Sequence, residues 1–142
     1  MLQMSATCEL SVLPALCAEL MCYPLATQEQ PFGPSPYVYK IGSPTPDSPR
    51  KMFALLAWDA QPLQLSLKCQ PDYALALRSQ FAAIQPGYHL AKAHWNTLIL
   101  DERLPQSLVF ELIRHSYHQV VAGLRQSEQK LLRQTYPLFW QP

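Results

Sequence analysis

Apolar and polar positions along the chain change period several times, and each change marks an element. Leu13, Leu16, Cys17, Leu20 and Met21 recur at helical spacing, so a first helix is predicted there. Ser11 is placed to cap it, Pro14 suits its first turn, and Pro24 ends it. Residues 1–10 carry no clear period and read as a leader. Thr27 to Phe32 allows a short edge strand ahead of the Phe32-Gly33-Pro34 turn. Tyr37 to Ile41 is β-branched and aromatic, a strand. The Pro- and Ser-bearing segment from Gly42 to Arg50 is a loop with a mobile tip. Lys51 to Trp58 is nearly continuous in apolar residues and reads as a central strand. Leu63, Leu65 and Leu67 alternate with Gln64, Ser66 and Lys68, the signature of a half-buried strand.

Pro71 then opens a helix whose Tyr73, Ala74, Leu77 and Phe81 share a side. Pro86-Gly87 marks a turn before or within the next strand, which is expected to reach about Ala91, and another strand spans Trp95 to Leu100. Pro105 opens a long helix with Val109, Leu112, Ile113, Ser116, Tyr117, Val120 and Leu124 inward, and Gly123 near its end. Ser127 is placed to cap a final short helix. The order is helix, three strands, helix, two strands, helix. It predicts an α+β fold in two layers, a mostly antiparallel sheet of about five strands with helices on one face. The domain spans 11–135, and 136–142 forms an aromatic tail that either folds over the core or anchors a partner.

Composition narrows the classes. A chain of 142 residues with 49% apolar residues can bury a core without metal or disulfides. Fourteen Pro against 4 Gly implies stiff connections. The four Cys form no CxxC pair and fit neither a zinc site nor a disulfide framework, so reduced packing thiols are expected. Cys69 beside Lys68 could be an activated thiol, but a strand-end Cys is more often inert packing. No signal peptide and no membrane-length apolar run is evident, which makes a cytoplasmic protein the expectation.

The net charge is only +1, too small for an extended phosphate-tracking surface. Its distribution is uneven. Residues 1–39 carry Glu9, Glu19 and Glu29 with no Lys or Arg, whereas residues 61–100 set Lys68, Arg78 and Lys92 against Asp72. Aromatics interleave with the cations in that second stretch.

Two segments there resemble a known family. They are Leu65-Ser66-Leu67-Lys68-Cys69 followed by Pro71, and the run from Pro86 to Thr97 containing His94-Trp95-Asn96-Thr97. Leu104-Pro105 and His115-Ser116-Tyr117 extend the likeness. Together they resemble the MmcQ/YjbR proteins from about Leu16 to Leu124, although Ala91 replaces the polar residue usual there. The resemblance implies a fold similar to frataxin-like and secretion-chaperone-like domains, and a DNA-binding role assigned by structural analogy.

The candidate binding set is Lys40, Ser66, Lys68, Tyr88, His89, Lys92, His94, Trp95 and Asn96. Cations hold phosphate, and aromatics stack on bases or sugars. The competing reading makes Tyr88 and Trp95 core residues, His94 a turn cap and the lysines solvated. His89 and His94 lack ligand spacing and a carboxylate neighbour, so no metal is expected. Ser116 and His115 point apart on their helix, and no Gly-rich phosphate loop exists, so neither catalysis nor a cofactor is expected. The expectation is a non-enzymatic binding module for nucleic acid, DNA foremost. The alternative is a protein-interaction or chaperone-like adaptor, alone or as a homodimer.

Overall fold

A computed structural model describes residues 5–42 and 49–140, with side chains from Val12 onward. Its elements run α1 (Ser5–Met21), β1 (Ala26–Glu29), β2 (Tyr37–Ile41), β3 (Lys51–Ala57), β4 (Leu63–Lys68), α2 (Pro71–Gln80), β5 (Ile84–Pro86), β6 (Trp95–Leu100), α3 (Gln106–Ala122) and α4 (Gln126–Thr135). The strands form one six-stranded sheet in the order β1-β2-β3-β4-β6-β5, with every neighbouring pair antiparallel. The α+β expectation therefore holds. The sheet has one strand more than expected, because Ala26–Glu29 pairs fully along the β2 edge.

Other boundaries differ for local reasons. Helix α1 starts upstream of Ser11, so Pro14 lies inside it with its ring exposed. Ser5 to Leu10 are helical rather than a leader, and residues 1–4 lie outside the described residues. Most of the Gly42–Arg50 loop, residues 43–48, lies outside them too. Met21 is exposed and Tyr23 takes the buried place expected of it. Strand β5 ends at Pro86 instead of continuing to Ala91, because Gly87 turns the chain back against Trp95. A Cβ on Gly87 would lie 2.7 Å from the Trp95 Cβ and 3.2 Å from the Leu90 Cβ, so only glycine fits. Gly123 closes α3 at φ −89°, not in the left-handed region. Arg125 rather than Ser127 caps α4, and Glu128 accepts from both the Arg125 backbone N–H and its guanidinium.

Register separates the two faces, because directly opposite residues share a side. Leu56, Leu65 and Leu98 align across β3, β4 and β6 on the helix side. Between Tyr39 and Lys40 the partner skips from Ala54 to Met52, which leaves Phe53 as the extra residue of a β-bulge. The bulge turns both Phe53 and Ala54 into the core, and Phe53 packs edge-on against Tyr23 and Tyr117. Ser116 accounts for the polar groups the bulge frees. Its hydroxyl donates to the Phe53 carbonyl at 2.6 Å and accepts the Lys68 N–H at 2.9 Å. On either side of it in α3, His115 Nε2 accepts the Gln70 N–H at 3.1 Å and the Tyr117 hydroxyl donates to the Pro24 carbonyl at 2.7 Å.

The tail folds back over this core. Phe139 meets Tyr23 and Tyr117 edge-on and stacks on His118, and Trp140 packs beside it. Arg114 lies over the Phe139 ring and Arg133 over that of Trp140.

Candidate functional site

The sheet face turned away from the helices carries a trough. Its floor is Met52, Leu55 and Ala57 of β3 with Gln64 and Ser66 of β4. Phe32, Ser35 and Pro36 wall one side, and Tyr88, His89 and Leu90 the other. Its volume is about 480 Å³, within the range of small-ligand sites. Leu55 and Ala57 of the central strand β3 remain half-exposed in this floor.

Both walls are loops pinned to the framework. The 30–36 loop is held by Trp58, whose indole N–H donates to the Pro34 carbonyl at 2.7 Å. Ser35 donates to Asp59 at 2.6 Å in the same loop. At the far end of the sheet, the 87–94 loop is clamped by Arg78 of α2. Its guanidinium donates to the Asn96 side-chain oxygen at 2.6 Å, to the Trp95 carbonyl at 3.1 Å and to the Lys92 carbonyl. Thr97 Oγ1 accepts the Tyr88 N–H at 3.1 Å and pairs with the Ser66 hydroxyl at 2.8 Å, which draws the loop over the open face. His89 adopts φ +58°, the left-handed turn that lets Tyr88, His89 and Leu90 all face the trough.

The nine residues singled out from sequence divide into three groups. Ser66, Tyr88 and His89 line the trough. Lys68 and Trp95, directly opposite each other on β4 and β6, continue the open face beyond Ser66, and Trp95 is half-buried there. Lys92 and His94 are exposed on the overhanging loop, where the Lys92 ammonium donates to the Gly87 carbonyl at 3.3 Å. Lys40 lies on the open face, but its charge is committed to Glu29 at 3.1 Å, and Arg50 joins that carboxylate at 2.8 Å. Lys40, with Arg50 beyond it, holds the Glu29 carboxyl below its usual range. Asn96 belongs elsewhere. Its register puts it with Leu67 on the helix side, where it is 2% exposed and bonded to Arg78 and the Ala74 carbonyl. It therefore positions the loop from beneath and cannot face a ligand on the open side.

Sequence reasoning missed Phe32, Leu55, Asp59, Thr97 and Arg78. Thr97 was within reach, since its alternation with Asn96 and Leu98 puts it on the same face as Trp95, and the register sets it opposite Ser66. Arg78 gave no such signal, because its partners lie on a loop distant in sequence. Cys69 is buried, and that burial pushes its thiol up to about 11, with Arg78 opposing. It stays protonated at neutral pH and is a packing thiol. Among the described residues, no three His, Cys, Asp or Glu side chains converge as a metal site.

The YjbR family model matches residues 21–119, which include both loops and the whole sheet but none of the tail. The chain belongs to the YjbR family. It is 44% identical over 70 residues to the uncharacterised protein YjbR of Escherichia coli K12, a match covering 49% of this chain and 59% of that relative's length. The uncharacterised protein YbdF of Escherichia coli O157:H7 is 34% identical over 103 residues, covering 72% of this chain and 79% of that one. The crystal structure of a Deinococcus radiodurans protein with a DUF419 domain superposes with a TM-score of 0.78 at 36% identity, covering 84% of this chain and 86% of the other. A Pseudomonas syringae protein of known structure gives 0.54 at 26% identity, over 66% and 86%. The YjbR fold thus extends well beyond the two motif segments that first suggested it. No described helix is long and apolar enough to cross a membrane.

Proposed function

We propose that this YjbR-family protein is a non-enzymatic, cytoplasmic binding module for nucleic acid, which it takes across the open face of its sheet. The observation that carries the reading is the shared placement of Lys68 and Trp95 on that face, beneath a loop bearing Tyr88, His89, Lys92 and His94. Lys68 and Lys92 supply the phosphate contacts, while Lys40 contributes little because Glu29 neutralises it. Two contacts give weak binding with a shallow but measurable dependence on salt.

The test is fluorescence anisotropy of labelled single-stranded and duplex oligonucleotides at several salt concentrations. The expected slope of log affinity on log salt is about −1.4 for single strands, at about −0.7 per contact. Lys92→Ala should flatten that slope and Lys40→Ala should leave it unchanged. Absence of binding to either oligonucleotide at low salt, with folded protein, removes this reading. The apolar floor of Met52, Leu55 and Ala57 favours a second reading, an adaptor that docks an apolar protein segment. Its signature is affinity indifferent to salt.

A further inference from the structure

We infer that the trough seats one unstacked base of a single strand, an inference that rests on the nucleic-acid reading above. The argument begins with charge. Among the described residues lining the trough there is no Lys or Arg, and Asp59 contributes a carboxylate. A phosphate is repelled there, whereas a neutral planar ring is not. The cations lie outside. Lys68 follows Ser66 on the same face of β4, about 7 Å along the strand. That offset puts a backbone phosphate beside Lys68 while its base enters the trough.

The walls suit a ring. Phe32 is 73% exposed and Tyr88 70%, one on each side, and such aromatic faces are what an unstacked base packs against. Hydrogen bonding adds a preference. Ser66 and Thr97 hold two hydroxyl hydrogens between them and use one for their mutual bond, so one donor is left over. Asp59 supplies the acceptor, already positioned by Ser35. Either group can bond a base edge, the hydroxyl a ring acceptor and the carboxylate an exocyclic amine. Bases inside a duplex cannot enter such a site, so single strands are favoured.

The experiment uses the full chain with labelled Met and Leu methyls, titrated with a single-stranded adenine oligonucleotide and with an abasic strand of equal length. The base-bearing strand should shift the Met52 and Leu55 methyls and bind about ten-fold more tightly than the abasic one, the effect of one stacked base. Leu55→Trp, which fills the trough, should reduce affinity to the abasic level. Tyr88→Ala, at an exposed position that leaves folding intact, should do the same in part. Equal affinity for the two strands, or unmoved Met52 and Leu55 methyls on binding, overturns the base pocket and leaves the nucleic-acid reading standing. If neither strand binds at low salt, that reading falls and the pocket with it. If an apolar peptide shifts these methyls and the oligonucleotide does not, the trough is a protein-docking groove and the inference is wrong.

Discussion

Ser116 shows how one hydroxyl can hold two strands together. It accepts from the Lys68 N–H and donates to the Phe53 carbonyl, so it joins the end of β4 to the bulge of β3 from inside α3. Alanine there leaves two buried backbone groups without partners. The expected loss is about 2–4 kcal/mol, from about 1–3 for each unsatisfied group with partial relaxation. Urea unfolding of Ser116→Ala measures it, and a change under 0.5 kcal/mol, roughly the scatter of surface substitutions, would contradict the bridging role. His115, its neighbour, ties the protein to pH. Burial lowers its pKa from 6.5, with Glu111 opposing, and its Nε2 lone pair is occupied by the Gln70 N–H. His118 shifts the same way, through burial and then through Arg114, Arg133 and His115. A folded-state pKa below the unfolded value means that the unfolded chain protonates first as pH falls. Stability is therefore full above 6.5 and is lost as the pH drops through the folded-state values. Glu29 and Asp101 also have lowered values, but from 4.5 and 3.8, so they act in more acid solution. His115→Gln keeps an acceptor for the Gln70 N–H and cannot titrate. Its urea midpoint should depend on pH less steeply between about 7 and 5, and an unchanged slope would exclude His115 as a source.

At the scale of the element, the 87–94 loop is a wall held from three sides. Arg78 grips it from α2, Thr97 from β6, and Gly87 allows the close approach to Trp95. Arg78 is the group whose loss should matter most to binding with little effect on the core, since its bonds go to the loop and to the first two residues of β6 rather than to β3 or β4. A lysine cannot span three acceptors with a planar fork. Arg78→Lys should therefore melt within a few degrees of the wild type, while amide exchange across residues 87–95 quickens and oligonucleotide affinity falls about ten-fold. Unchanged exchange would show that Thr97 and Gly87 suffice. Gly87→Ala is the harsher change. The Trp95 Cβ and carbonyl stand too close to give way, so overpacking of about 1–3 kcal/mol is expected. The same loop carries a local pattern that its long-range contacts override. Tyr88 to Ala91 carry strand-like residues, but the Trp95 contact that bends them away cannot be seen in local pattern.

Across the whole molecule, the legible part was whatever period expresses. Alternation placed Ser66 and Lys68 on the open face, helical spacing placed Ser116 and Tyr117 inward, and the length of the β3 run placed it in the sheet's middle. Pairing across distance was not legible. Nothing local says that Glu29 takes the charge of Lys40, that Asn96 turns to Arg78, or that Phe32 and Tyr88 meet the same trough. The aromatic tail is the largest case, since composition left open whether it packs or reaches outward. Packing ties the tail to the turn that follows α1. Phe139 touches Tyr23, where α1 gives way to β1, as well as Tyr117 and His118 of α3. The tail is thus a clasp across the helical layer, remote from the trough on the opposite face. Phe139→Ala removes those ring contacts and the Arg114 guanidinium's seat. Phe139 is only half-buried, so the expected loss is about 2–3 kcal/mol, below the 3–5 of a fully buried Phe. Calorimetry should show a lower Tm, while oligonucleotide affinity, measured well below that Tm, stays unchanged. A variant that melts normally but binds weakly would instead put the tail in the binding surface.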